Sequence, residues 1–342
     1  MKKYAFWNNK GGTGKTSLAF QTICQYAHNN PDQRILAIDV CPQGNLSELF
    51  LGGMEGKGSE KLYKLQEPTL RQTIGGYFEM RLNSPYSRID GFDPKPFVSN
   101  PNQRNSCIPQ NIDLLAGDPV LELQSNAMSS LANQNIPGIS TWLRVVDWLN
   151  DFIHHTQETY DTIFLDLNPS FSMYTQIALA ASNRVILPVM ADDSSRRAIL
   201  NAFSLIYSLS LPSEIYKAHA FGERLKENSR ELPRVHLIIK NRITQYMGDA
   251  SAYASVLNSI TDEVKKLSQQ HPSYFTNEFL SEHSISIGDF NTTGVVAFAR
   301  GLPFFEMEEK GKSYVVGERR VQVPLEQRNA RARDIKRLAS LL

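Results

Sequence analysis

The stretch Lys10-Gly-Gly-Thr-Gly-Lys-Thr-Ser17 constrains the fold of this chain more than any other. It follows a short apolar run, Tyr4 to Trp7, and opens into a helical pattern from Ser17 to Tyr26. Strand, glycine-rich loop and helix in that order make a cradle for phosphate. Backbone N–H groups of the loop and the positive end of the helix dipole point at the negative charge. Gly11, Gly12 and Gly14 are expected to turn through φ > 0 and to let the backbone approach closely. In such a loop Lys15 reaches the β- and γ-phosphates of a nucleoside triphosphate, and the Thr16 hydroxyl ligates Mg²⁺. Thr13 and Ser17 complete the cradle. A chance surface turn rich in Gly and Lys would lack the flanking strand and helix.

Further apolar runs read as core strands: Arg34 to Asp39, Ile112 to Leu115, Tyr160 to Asp166, Arg184 to Val189 and Val235 to Ile239. Helical periodicity covers Leu121 to Leu131, Ile139 to Ile153 and Ala252 to Leu267. In the second of these, Trp142, Val145, Val146, Leu149 and Ile153 form one stripe, which reads as core. His154 and His155 at its end read as solvent-facing rather than metal-binding. Strands alternating with helices predict a doubly wound α/β fold, with a mainly parallel sheet flanked by helices and ligand at the strand C-termini. The stretch 53–110 is the least regular, rich in Gly, Pro, Asn and Ser. It reads as an insertion beside the nucleotide face, partly mobile, with one helix near 69–80.

Two details narrow the class. Asn9 stands where the common phosphate loop has its first glycine, and Lys10 precedes the glycines. This K-G-G-T-G-K-T arrangement resembles the deviant Walker A loop of the ParA/MinD family of dimerising ATPases. Arg34 to Asp39 followed by Val-Cys-Pro-Gln-Gly-Asn45 resembles the family's second strand and its D-x-D-P-Q-G-N motif. The strand ending at Asp166 resembles its Walker B strand. The likeness runs from about Lys3 to Val189, and more loosely beyond. It is nearest to the small ParA-type partition proteins, since only nine residues precede Lys10 and leave no room for a helix-turn-helix domain.

The resemblance implies a P-loop NTPase fold with ATP and Mg²⁺ as cofactors. It implies that Lys10 crosses a dimer interface to the partner's nucleotide, that Lys15 holds phosphate, and that Thr16, Asp39 and Asp166 serve the metal. Asn241, after the strand ending at Ile239, would lie near adenine, whose edge an amide can match; an asparagine there can equally cap a turn. The segment Ala297 to Pro303 would pack near the base. Cys41 departs from the pattern, because the family places a second aspartate there, tied to hydrolysis. A thiol is a poor group for polarising water, so slow turnover is expected unless Asp39 or a partner residue positions the water.

Net charge is +1, so any nucleic-acid contact must come from a local patch. Cys24, Cys41 and Cys107 are too few and too scattered for a disulfide framework, a zinc site or an iron–sulfur cluster. No run approaches a membrane span, and the chain enters its first strand without a signal peptide, so a cytoplasmic protein is expected. The tail carries Arg319, Arg320, Arg328, Arg331, Arg333, Lys336 and Arg337. That cluster could track DNA phosphates without reading sequence, or be a solvated helix face. Arg196 and Arg197 could add to it. Ala332, Ile335, Leu338 and Leu342 give the last helix an apolar side, which suits core packing or, as in MinD-like relatives, a membrane surface.

The expectation is one ATPase domain, 1–342, decorated at 53–110 and closed by a basic helix at about 325–342. ATP would drive a homodimer that binds DNA nonspecifically and associates with the nucleoid. A ParB-like or other adaptor would stimulate turnover, and the cycle would position a plasmid, chromosome or other cargo. Two further classes stand beside it: a membrane-surface positioning ATPase, and a nucleotide-gated interaction protein in polysaccharide synthesis, conjugation or defence.

Overall fold

Five of the strands read from the sequence are apolar on both faces, which requires a covered sheet. The computed structural model describes residues 1–342 other than 68, 70, 191, 244–249, 280–284 and 308–312. In chain order it contains β1 (Lys2–Phe6), α1 (Lys15–Asn29), β2 (Ile35–Val40), α2 (Asn45–Phe50), α3 (Gly58–Leu65), α4 (Ile74–Leu82) and β3 (Ile112–Leu115). Then follow α5 (Val120–Ala132), α6 (Thr141–Val146), α7 (Trp148–His154), β4 (Thr162–Leu167), α8 (Met173–Ala181), β5 (Arg184–Met190), α9 (Asp193–Tyr207) and α10 (Phe221–Glu227). The last part holds β6 (Arg234–Ile243), α11 (Ala250–Gln270), β7 (Ile285–Gly288), α12 (Asn291–Arg300), β8 (Ser313–Val316), β9 (Arg319–Gln322) and α13 (Leu325–Ala339).

Strands β1 to β7 form one parallel sheet in the order β3-β2-β4-β1-β5-β6-β7. Successive side chains point to opposite faces, so one strand feeds two cores. On β1, Tyr4 and Phe6 enter the core beneath α1 and α13, while Ala5 and Trp7 enter the core that holds Trp142 and Trp148. Tyr4 stacks on Phe164 of β4 at 5.3 Å, and Tyr26 of α1 meets the same ring edge-on. Truncating Phe164 to Ala would empty this three-ring cluster and cost about 3–5 kcal/mol.

Several expectations need correction. The single helix expected over 139–153 is two, α6 and α7, broken at Asp147, whose carboxylate accepts from Arg230 and from Asn150. The expected stripe is nevertheless buried throughout, and His154 and His155 are exposed. Among the described residues the stretch 53–110 holds two α-helices, α3 and α4, rather than one, with short 3-10 turns at Lys95–Phe97 and Pro101–Gln103. Arg71 and Thr73 tie it to Asp118, and Lys61 bridges the Leu51 and Arg104 carbonyls. Edge strand β7 and the antiparallel pair β8–β9 had no strong signal in the sequence. On α13, Ile335, Leu338 and Ala339 are buried, with Leu342 just beyond, so its apolar side belongs to the protein core. Among the described residues no helix is long and apolar enough to cross a membrane.

Candidate functional site

Every strand of the parallel sheet ends on the same rim, and the loop after β1 lies at its middle. Gly12 (φ 74°) and Gly14 (φ 78°) adopt the left-handed conformation that side chains resist. Gly11 does not, so it is no part of that requirement, contrary to the sequence expectation. A Cβ on Gly14 would also come within 2.5 Å of the Asn241 amide nitrogen. Asn8 sets the loop's entry: its Nδ2 donates to the Pro188 carbonyl at 2.7 Å, and its Oδ1 accepts from Lys10 N at 2.9 Å. Lys15 begins α1, a helix of 15 residues, so its free first-turn N–H groups and dipole face the loop.

Lys15 is buried beside two carboxylates. Asp39 and Asp166 are partners in register at the ends of neighbouring strands β2 and β4. Asp39 Oδ2 accepts from Ser47 N (2.9 Å) and Ser47 Oγ (2.8 Å), and that hydroxyl accepts from Gly117 N. Asp39 Oδ1 and both Asp166 oxygens are buried with no hydrogen-bond partner among the described residues. Burial, and then the charge of Asp166, push Asp39 up to about 7. Burial pushes Asp166 up to about 6, against the Thr16 hydroxyl and Lys15. Burial draws Lys15 down, with Asp166 and Cys41 pulling the other way. Three unpartnered carboxyl oxygens, with the Thr16 hydroxyl beside Asp166, are a donor set for a hard cation, whose charge would hold both carboxylates ionised. Among the described residues no cluster of three or more His, Cys, Asp or Glu could hold a metal by itself. The set therefore suits an ion such as Mg²⁺, which takes one or two carboxylates and completes its shell with phosphate oxygens and water. Asp166, Thr16 and Asp39 would hold it.

Cys41 stands at the same strand end, 8% exposed. Asn168 Nδ2 reaches its sulfur at 3.8 Å, and Trp7 Nε1 fixes the Asn168 carbonyl at 3.0 Å. Burial and then Asp39 push the thiol up to about 12. It stays neutral and accepts no proton near neutral pH.

Lys10 is held within its own chain. Its Nζ donates to Asp192 Oδ2 (2.6 Å) and to Ser194 Oγ (2.5 Å). Asp192 also caps α9, its Oδ1 accepting from Ser195 N at 2.9 Å. Burial pushes the Asp192 carboxyl up, but Lys10, Ser194 and Ser195 outweigh it and bring it down to about 2. Asp192 and Ser194 were not singled out from sequence for this role. The only signal is the helix-start pattern Asp192-Asp-Ser-Ser after an apolar strand.

Asn241 does join the loop, but its Nδ2 is spent on the Thr13 carbonyl at 2.8 Å, and its buried Oδ1 has no partner among the described residues. It anchors the loop and keeps one acceptor in reserve. Arg242 beside it was missed. It sits at φ 56°, exposed, and its Nε would lie 3.7 Å from a Cβ on Gly14. An arginine held in the left-handed region next to a phosphate loop has no signature a sequence pattern would reveal. Pro303 is placed elsewhere. Its neighbours Leu302 and Phe304 bond to Gln21 of α1, and Phe305 stacks on His28 near the far end of that helix. Gln21 lies six residues beyond Lys15, so this segment runs along the helix and away from the loop.

The basic tail divides. Arg319, Arg320, Arg333, Lys336 and Arg337 are exposed, Arg337 donating to the Ser286 carbonyl. Arg328 and Arg331 are not available as expected. Arg328 grips the Met307 carbonyl through Nε and Nη2 (3.1 and 2.5 Å). Arg331 lies 3.2 Å from Asp334, over Gly288, where a Cβ would fall 1.5 Å from its Nη1. Arg196 pairs with Glu263 at 3.3 Å.

A parallel sheet with this loop, a buried lysine and two strand-end carboxylates defines a P-loop nucleotide-binding protein with an added lysine ahead of the glycines. Residues 1–210 match the family model described as an AAA domain (AAA_31), and the chain belongs to this ParA/MinD-type family. An uncharacterized protein of Pseudomonas putida is 29% identical over 191 residues, 56% of this chain and 57% of that protein. The chromosome-partitioning ATPase Soj of Thermus thermophilus is 27% identical over 192 residues, 56% of each chain. The chain thus spans about half the length of the curated relatives it matches. Apo McdA of Cyanothece superposes with a TM-score of 0.58 at 15% identity, covering 98% of this chain and 99% of that one, a likeness of fold.

Proposed function

We propose that this protein is a Mg²⁺-dependent ATPase of the partition type, with the whole chain as one domain decorated at 53–110. The observation that carries the reading is the convergence of Lys15, Thr16 and the unpartnered Asp39 and Asp166 oxygens on a positive-φ glycine loop. Lys15 and the loop N–H groups hold the β- and γ-phosphates. Bound Mg²⁺ supplies neutralisation of charge developing on those oxygens. Asn241 fixes the loop and offers its free carbonyl to a donor on the base.

Lys10 is the moving part. In the single chain Asp192 and Ser194 hold it. The γ-phosphate of a facing subunit competes for the same ammonium as a stronger, more highly charged acceptor. Exchange of Asp192 for that phosphate couples ATP to homodimer formation. The dimer binds DNA nonspecifically through the exposed tail residues and rides on the nucleoid, cytoplasmic throughout. An adaptor protein triggers release, and the cycle positions a plasmid, chromosome or other cargo. Membrane docking through α13 is disfavoured, since its apolar side is already buried. Turnover is slow, because Cys41 cannot take the proton of the attacking water. Asp39, two residues earlier with Oδ1 free, is the remaining base on this strand end.

Sedimentation with ATP and with ADP tests the reading. ATP alone should convert monomer to dimer, and Lys10→Ala should bind ATP yet stay monomeric. An oligomer indifferent to nucleotide and to Lys10→Ala would sink it.

A further inference from the structure

A cleft lies on the opposite rim, at the strand N-termini. It encloses about 600 Å³ and is lined by Lys3, Arg184 and Arg234, which stand at or near the start of β1, β5 and β6, with Arg230 beside them. A second cavity of about 240 Å³ adjoins it across the Arg230–Asp147 ion pair and carries Arg81, Arg88 and Arg144. Seven cations face the two cavities, against the four acids Asp147, Asp151, Glu231 and Glu278. The whole chain carries a net charge of only +1, so this is a local concentration of positive charge.

Among the described residues three of these cations have no ion-pair partner: Lys3, Arg144 and Arg234. Lys3 is the telling one. Its side chain is half-buried in the cleft, and burial lowers its pKa. A chain seldom keeps an uncompensated cation there without a use for it. The remaining guanidiniums are filled by the protein's own carboxylates: Arg184 by Glu278 at 2.9 Å, Arg81 and Arg88 by Asp151 at 2.7 and 3.1 Å, and Arg230 by Asp147.

We propose that this trough binds an acidic peptide segment of a partner protein. The paired guanidiniums show that carboxylates suit this lining, and Lys3, Arg144 and Arg234 remain open to Asp or Glu side chains of the peptide. The free cations are strung along two adjoining cavities instead of converging on one point. Several neutral polar side chains of the lining are already spent within the protein: Ser182 donates to the Leu179 carbonyl, Asn183 serves Lys3 N and the Met1 carbonyl, and Thr276 bonds to His236. Glu231 and Glu278 in the lining would repel the unbroken phosphate backbone of a nucleic acid. Electrostatic complementarity of this kind sets partner choice and encounter rate. The cleft is separated from the phosphate loop by the length of the strands, so peptide and nucleotide can bind together.

The test is fluorescence anisotropy of labelled octaglutamate and octaglutamine peptides on the full chain, at low and high salt. Octaglutamate should bind saturably and weaken with salt, and octaglutamine should not bind. Lys3→Gln with Arg234→Gln should weaken octaglutamate roughly tenfold. The thermal midpoint of this double variant should stay level or rise, since no internal partner loses its counter-charge. If the double variant does not fold, Arg234→Glu at its exposed position serves, with the same expected loss. Tripolyphosphate titrated into Lys15→Ala protein separates a small oxyanion from a peptide. No saturable octaglutamate binding, equal binding by the variant, or tripolyphosphate binding here in place of the peptide would overturn the proposal.

Discussion

The phosphate loop and the C-terminal helix both present lysines and arginines crowded in sequence, yet the fold treats them oppositely. At the loop, every cation has a fixed station. Lys15 is buried against Asp166, and Lys10 is clamped by Asp192 and Ser194. On α13 and the strand before it, seven basic residues divide between inward and outward roles. Arg328 and Arg331 serve the fold, and the others face water. In a tight turn, sequence neighbours are spatial neighbours because the backbone itself is the scaffold. On a helix each residue is rotated about 100° from the last, so a run of charge scatters around the axis.

The contrast is broken most severely if the loop cations prove dispensable. Lys15→Ala should cost ATP affinity about 10²–10³-fold, the loss of a buried cation from the phosphates. Its own removal leaves Asp166 without its nearest cation as well. Calorimetry giving equal ATP affinity for both proteins would refute the phosphate-loop assignment.

The tail supplies the next largest effect. Replacing the outward Arg319, Arg320, Arg333 and Lys336 with Glu should weaken nonspecific DNA binding about 100-fold at moderate salt and flatten its salt dependence. Arg328→Gln and Arg331→Gln should leave DNA binding unchanged and lower the unfolding midpoint instead. DNA retention by the fourfold variant at wild-type affinity, or its loss in the inward pair, would invert the division of the tail.

What was legible in the sequence follows the same line. The run β1, loop and α1, the strand-end Asp39 and Asp166, and the apolar stripe through Trp142 and Ile153 were all readable, because local backbone pattern and burial determine them. Residues whose role depends on a partner far along the chain were not. Asp192 is 182 residues from Lys10, and Asn241 is 228 from Thr13. Nothing near Asp147 announces the Arg230 guanidinium that accompanies the break between α6 and α7. Pro303 was misplaced because a Gly-Leu-Pro segment looks the same whether it lies beside a base or along a helix. Ligand-free geometry places it with Gln21.

Cys41 sharpens the comparison at the level of chemistry. Under the proposed function its neighbours hold phosphate, while its neutral thiol would offer the attacking water no base. Cys41→Asp should raise single-turnover hydrolysis roughly tenfold, near the lower end of what a placed base contributes. A third buried carboxylate close to Asp39 and Asp166 should also make the nucleotide-free protein less stable, by like-charge repulsion. A wild-type rate equal to or above that of Cys41→Asp, with both proteins saturated with ATP, would mean that the water is positioned elsewhere.

The smallest effect concerns the clamp on Lys10, and it isolates charge from backbone. Asp192 has two tasks: one oxygen caps α9 and the other holds Lys10. Asparagine caps a helix about as well as aspartate, so Asp192→Asn keeps the first task and weakens the second. The pair is partly exposed, its side chains retaining 26% and 41% of their accessible surface, so solvent screens it and it is worth only about 0.5 kcal/mol. A dimer releases two such clamps, which makes about 1 kcal/mol, or roughly fivefold in the dimerisation constant. ATP-driven dimers of Asp192→Asn should therefore form at about one-fifth of the wild-type protein concentration, with the unfolding midpoint nearly unchanged. Asp192→Ala should show the same dimer shift and, in addition, a cap loss of about 1 kcal/mol. The sign of the pH effect follows from the lowered carboxyl. The clamp is intact above the ordinary aspartate range and is lost only as pH falls through about 2, so dimerisation near neutral pH should not respond to Asp192 titration. Weaker dimerisation in Asp192→Asn would mean that Asp192 assists the ATP dimer rather than holding Lys10 back from it.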